Sequence, residues 1–153
     1  MDKESGNIYR TARKAAGLTQ ERWAEQIGIS PDTVRLYEGG RMCPSDEVAA
    51  RMAEIAMMPV LCYWHIKHKS GIANDILPEV PRVPLAQAVL NLLAAMEEAA
   101  PQIAELMMIA RDGKVTGDEV EPFDGIVEDL DDVVQAALAV KYAERTAEGG
   151  GEA

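Results

Sequence analysis

A chain of 153 residues has room for one ordinary domain or two small ones, and 48% hydrophobic content excludes a wholly disordered polymer. Aromatic residues make up only 5%, so a core must come from Leu, Ile, Val, Met and Ala, which favours helices over strands. The net charge of −11 is unevenly spread. Residues 1–70 carry 10 Lys/Arg and 9 Asp/Glu, net +1, whereas residues 71–153 carry the other 5 and 17, net −12, so only the first half is suited to approach a polyanion.

The first half reads as short helices with clear punctuation. From Asn7 to Ala16, the apolar positions Ile8, Ala12, Ala15 and Ala16 recur at helical spacing and Gly17 stops the run. Thr19 offers an N-cap hydroxyl to a second helix, residues 19–27, whose inner face is Trp23, Ala24 and Ile27 and which ends at Gly28. Ser30 caps a third, residues 30–38, with Pro31 at its first position, Val34 and Tyr37 inward, and Gly39-Gly40 at its end. Ser45 caps a fourth, with Asp46 and Glu47 favoured by the dipole and Val48, Met52, Ile55 and Ala56 inward. A fifth segment, PVLCYWHIKHK, starts at Pro59.

Pro78, Pro81 and Pro84 then recur every three residues, which predicts an extended, semi-stiff linker over 70–84 between a domain at 6–69 and another at 85–145. Beyond it Leu85, Val89, Leu92, Met96, Ala99, Ile103, Leu106 and Ala110 alternate four-three spacings, a heptad seam that Pro101 should kink or split. Asp112-Gly113 breaks the run, and Thr116 with Glu119 has capping-box spacing. A last long helix carries Ile126, Leu130, Val133, Ala137 and Val140 on one stripe, with Pro122 expected to bend its first turns. Two long amphipathic helices about a tight turn predict an antiparallel hairpin. The tail 146–153 is expected to be disordered, and no strand is readable.

The stretch from Ile8 to Ala56 contains LTQ, then A-E-x-I-G-I-S, then T-V-R-x-Y-E-x-G-x, in order and at fixed spacing. Over roughly residues 7–57 it resembles the Cro- and lambda-repressor-like, Xre-type helix-turn-helix family. The resemblance implies an all-α fold, a five-helix DNA-binding domain here followed by the helical hairpin. The second helix of the motif would enter the major groove of double-stranded DNA. Carried over by position, Thr19 and Gln20 begin the bracing helix, with Gln20 on a phosphate and against the reading helix. Pro31, Asp32, Thr33, Arg35 and Leu36 take the groove-facing positions, and Arg41 meets the backbone. Tyr37 and Glu38 tie the turn to the domain. Gly39 departs from the family's usual Asn, which removes one side-chain backbone contact. Base reading then rests on Arg35 to guanine, Asp32 to cytosine N4, and Thr33.

The expected function is that of a bacterial or prophage transcriptional regulator, repressor-like, binding a palindromic operator as a homodimer. A near-neutral reader binds weakly alone, and joining two restores affinity. Dimerisation is assigned to Leu85, Val89, Leu92, Met96, Ile103, Leu106, Ile126, Leu130 and Val133, because a two-helix hairpin alone has a thin core. Asp124, Glu128, Asp129, Asp131 and Asp132 read as a solvated face. The alternative is an antitoxin-like module in which this acidic half neutralises a basic protein partner. No membrane association is expected, since Glu97, Glu98 and Glu105 interrupt the longest apolar region. The N-terminus MDKESGNIYR has no apolar stretch, so a cytoplasmic protein with Cys43 and Cys62 reduced is expected. Neither cofactor nor metal is implied. RDGKVTGDEVE resembles the later half of an EF-hand loop, but its first ligands would be Met108 and Ala110. Cys62, His65 and His68 would splay apart on a helix and lack a fourth ligand. No nucleophile elbow or phosphate loop suggests an enzyme.

Overall fold

The computed structural model describes residues 7–144, so the tail at 146–153 lies outside the described residues. Among these the regular elements are all helical, as composition and periodicity predict. They fall into two compact units that meet in sequence between Leu77 and Pro78.

The first unit holds α1 (Ile8–Ala15), α2 (Gln20–Ile27), α3 (Pro31–Glu38), α4 (Asp46–Ile55), α5 (Val60–Lys69) and α6 (Gly71–Ile76). Their starts are set by local chemistry. The side chains of Asn7, Thr19, Ser30, Ser45 and Ser70 each accept a bond from a backbone N–H in the first turn of the helix that follows. Tyr9, Trp23, Val34, Met52, Val60 and Leu61 are at most 2% exposed and form the interior. On α4 the buried residues are Ala49, Met52 and Ala53, so the inner face is turned slightly from the expected Val48 and Ile55. The expected linker over 70–84 opens with α6, a helix too short to show periodicity. The buried ammonium of Lys67 donates to the carbonyls of Asn74 at 3.1 Å and Leu77 at 2.9 Å, placing a cation at the end of that helix where the dipole favours it.

The second unit holds α7 (Leu85–Ala99), α8 (Ile103–Ile109) and α9 (Val120–Lys141). Pro101 sits in a 3₁₀ turn, Ala100–Gln102, that splits α7 from α8, because proline removes an N–H and crowds the preceding turn. Gly113 at φ +74° ends the run, and the Thr116–Glu119 capping box leads into α9. Pro122 lies in the first turn of α9, where a missing N–H takes little from the helix, and α9 continues through it. The Gln102 amide donates to Asp129, fixing an antiparallel register between the two arms. Where α7 and α9 meet, the buried residues are chiefly Ala88, Ala99, Ile126, Ala136 and Ala139.

Candidate nucleic-acid interface

The pair α2–α3 is built around a tight turn. Gly28 caps α2 with φ +86°, a conformation that costs a side chain energy, and its N–H returns to the Ala24 carbonyl. Two residues later Ser30 Oγ accepts from Thr33 N at 3.1 Å and Pro31 begins α3. The first helix is started by Thr19, whose Oγ1 accepts from Arg22 N at 3.2 Å.

The inner end of α3 is bolted down by a buried carboxylate. The Glu38 side chain is 1% exposed and accepts from Arg13 Nε at 2.6 Å, Arg13 Nη2 at 3.1 Å and Gln20 Nε2 at 2.9 Å. Arg13 Nη1 also donates to the Leu18 carbonyl at 2.9 Å, and Arg10 Nη2 reaches the Glu38 carbonyl at 3.3 Å. Asn7 Nδ2 donates to the Tyr37 carbonyl at 2.7 Å. Burial pushes the Glu38 carboxyl up, but the bonds from Arg13 and Gln20 and the nearby Arg10 charge outweigh it and hold it below its ordinary value. One cluster thus ties α1, the start of α2 and the end of α3 together. Gln20 braces α3 in this way, and the second proton on its amide nitrogen can still be offered to a phosphate.

The outer edge of α3 is polar. Asp32 and Arg35 are exposed, while Pro31, Thr33 and Leu36 are half-buried. Arg35 Nη1 donates to Asp32 Oδ1 at 2.5 Å and Nη2 lies 3.6 Å from Glu21 Oε1. The Thr33 and Ser30 hydroxyls share a bond of 2.8 Å. The two residues assigned as independent base readers therefore hold one another in the free protein. Arg41, beyond Gly40, is exposed. Sequence reasoning missed Glu21 and the Arg13–Glu38 tie. The i, i+3 spacing of Asp32 and Arg35 was the available signal for their pairing.

A second network runs from the buried Tyr9 and His65 side chains out to the exposed Asp46 and Lys69. The Tyr9 hydroxyl and His65 Nδ1 lie 2.8 Å apart, His65 Nε2 is 3.0 Å from Asp46 Oδ1, and Lys69 Nζ donates to the same oxygen at 2.6 Å. Burial and the Cys43 thiol push the Tyr9 phenol far above its usual range. The Lys69 and His65 bonds hold the Asp46 carboxyl below its ordinary value. His65 thus spends both ring nitrogens on Tyr9 and Asp46 rather than on a metal site with Cys62 and His68.

Comparison with known proteins agrees with this geometry. Residues 10–60 match the helix-turn-helix domain family. A protein of Methanothermobacter thermautotrophicus (strain Delta H), named an uncharacterized HTH-type transcriptional regulator, is 44% identical over 46 residues, which is 30% of this chain and 67% of the relative. No solved structure matches. The fold and the matched residues define a helix-turn-helix protein, and the chain belongs to the Xre-like helix-turn-helix family.

Proposed function

We propose that this protein is a sequence-specific, DNA-binding transcriptional regulator of the bacterial or prophage repressor type, acting in the cytoplasm. It binds a palindromic operator as a homodimer, with α3 in the major groove. Arg35 contacts guanine, Asp32 and Thr33 flank it, Pro31 and Leu36 make apolar contacts, and Thr19, Gln20 and Arg41 meet the backbone. The observation that carries this reading is the division of α3. Its inner end is fixed by the buried Glu38 cluster while Asp32 and Arg35 project to solvent. In this reading residues 6–69 read DNA and residues 85–145 pair the chains.

Selection of bound fragments from a random DNA pool by the full-length protein tests this. The expected result is a two-fold symmetric consensus whose half-sites lie about one helical turn apart or a multiple of it. No enrichment over input DNA rejects the reading, and an asymmetric single site rejects the paired operator.

A further inference from the structure

The second unit wears its large apolar residues on the outside. Leu85, Val89, Leu93 and Met96 of α7 are 39–53% exposed, and Leu130 and Val134 of α9 are 39% and 49% exposed. The buried residues of the two helices are meanwhile Ala88 and Ala99 on α7 and Ile126, Ala136 and Ala139 on α9. On α7 the four follow one another every three or four residues, a continuous stripe beside the buried line of Ala88 and Ala99. Leu130 and Val134 form the corresponding stripe beside Ile126 and Ala136. Both stripes are displaced from the seam in the same rotational sense along the sequence. Reversing one helix of a pair reverses that sense in space, so in an antiparallel hairpin the two stripes share one side. The other side agrees: it is a shallow groove lined by Asn91 and Glu98 of α7 and Asp132 and Gln135 of α9, with alanines between.

We infer that the Leu85–Val89–Leu93–Met96 stripe and Leu130–Val134 together form the isologous interface through which a second copy of this chain closes a four-helix bundle. The inference rests on the homodimer reading above and specifies its surface. Two observations select a second copy as occupant. The six side chains expose on the order of 500 Å², close to the apolar centre of a standard interface that buries about 800 Å² per partner once its polar rim is added. The face itself is aliphatic, so a basic partner drawn by charge would find its complement on the acidic groove side instead. Of the residues assigned to pairing from sequence, Leu85, Val89, Met96 and Leu130 belong to this face. Leu92, Leu106 and Val133 are half-buried and Ile126 is buried within the hairpin, so their role is internal. Ile103 is exposed but lies on α8, beyond the Pro101 turn.

Two such acidic units repel one another, so association tightens as salt screens the charge. The test is the light-scattering mass of the full-length protein, with helicity checked by circular dichroism. Leu93→Lys and Val134→Glu change exposed positions and are expected to yield folded monomers. Ala94→Lys, on the groove side, is expected to remain a dimer whose dissociation constant falls as sodium chloride rises. A wild-type chain that is monomeric at high micromolar concentration overturns the homodimer reading as a whole. A wild-type dimer that survives both Leu93→Lys and Val134→Glu, or that dissociates as salt rises, overturns only the assignment of this face.

Discussion

The two units fill their interiors with different kinds of side chain. In the first, Trp23, Tyr9, Met52 and Leu61 are essentially sealed from solvent, and the buried Glu38 and His65 side chains are hydrogen-bonded. In the second, small residues fill much of the seam while Leu90, Leu93, Met107 and Met108 stand more than half exposed. Exposed aliphatic area of that extent is what interaction surfaces carry. A reading head must present a fixed shape to a rigid duplex, and large sealed side chains supply it, although Met57, Ile66, Ile72 and Ile76 of this unit are also more than half exposed. Under the pairing proposed above, the second unit would keep part of its core for the second copy.

The comparison is broken most severely by opening the sealed core. Trp23→Ala removes a fully buried side chain from α2 and is expected to cost about 3–5 kcal/mol, seen as a large fall in the urea midpoint with loss of DNA binding. Leu93→Ala, of comparable chemistry on the second unit, is expected to leave the stability of the first unit unchanged. Equal losses from both would mean that the two units do not differ in the way described.

Next comes the buried ion cluster. Glu38→Ala strands Arg13, whose side chain is 14% exposed, and is expected to cost roughly 3 kcal/mol. The sign of its pH dependence follows from the lowered carboxyl. A folded value below the unfolded one gives stability that is fully present above the unfolded range of about 4.3 and is lost as pH falls through the folded value. Urea midpoints measured from neutral pH to pH 3 should fall less steeply for Glu38→Ala than for the wild type. Parallel curves would show that Glu38 is not the linked group.

These ties mark where sequence reading ran out. The motif α2–turn–α3 was legible because each boundary carries its own chemistry in adjacent residues: Thr19, Gly28, Ser30-Pro31 and Gly39-Gly40. The Arg13–Glu38 bond spans 25 residues, and nothing in a local pattern announces it. The short α6 was missed because its end is held by Lys67 from the preceding helix, and six residues show no periodicity. In the hairpin the heptad reading merged two stripes into one. It followed mainly the large aliphatic residues and held Ala99, whereas Ala88, Ala136 and Ala139, buried in the same unit, lie off the pattern.

On the outer edge of α3 the effects are smaller and fall on DNA rather than on stability. Arg35→Ala is expected to lose about 1–3 kcal/mol of discrimination at one base position, measured by competition between operator variants. Asp32→Asn sharpens the assignment, because its carboxylate holds Arg35 at 2.5 Å. An exposed pair of this kind adds little stability, so the variant should fold as the wild type does. Altered preference at the Arg35 base would mark Asp32 as its positioning residue. Altered preference at a separate base would mark Asp32 as a reader in its own right.

The smallest effect is expected from Arg41→Ala. Arg41 lies past Gly40, exposed, whereas Arg13 is locked to Glu38 and Arg35 shares its charge with Asp32 and Glu21. A guanidinium held by carboxylates must give up those partners before it can neutralise a phosphate, so a freely solvated one contributes its full counterion release. Removing it should weaken operator and random DNA alike and lower the slope of log affinity against log salt by about one. It should leave both base preference and the urea midpoint where they were. Should Arg41→Ala instead change the selected consensus, the residue reads bases, and the division between a reading edge on α3 and a backbone contact beyond it would have to be redrawn.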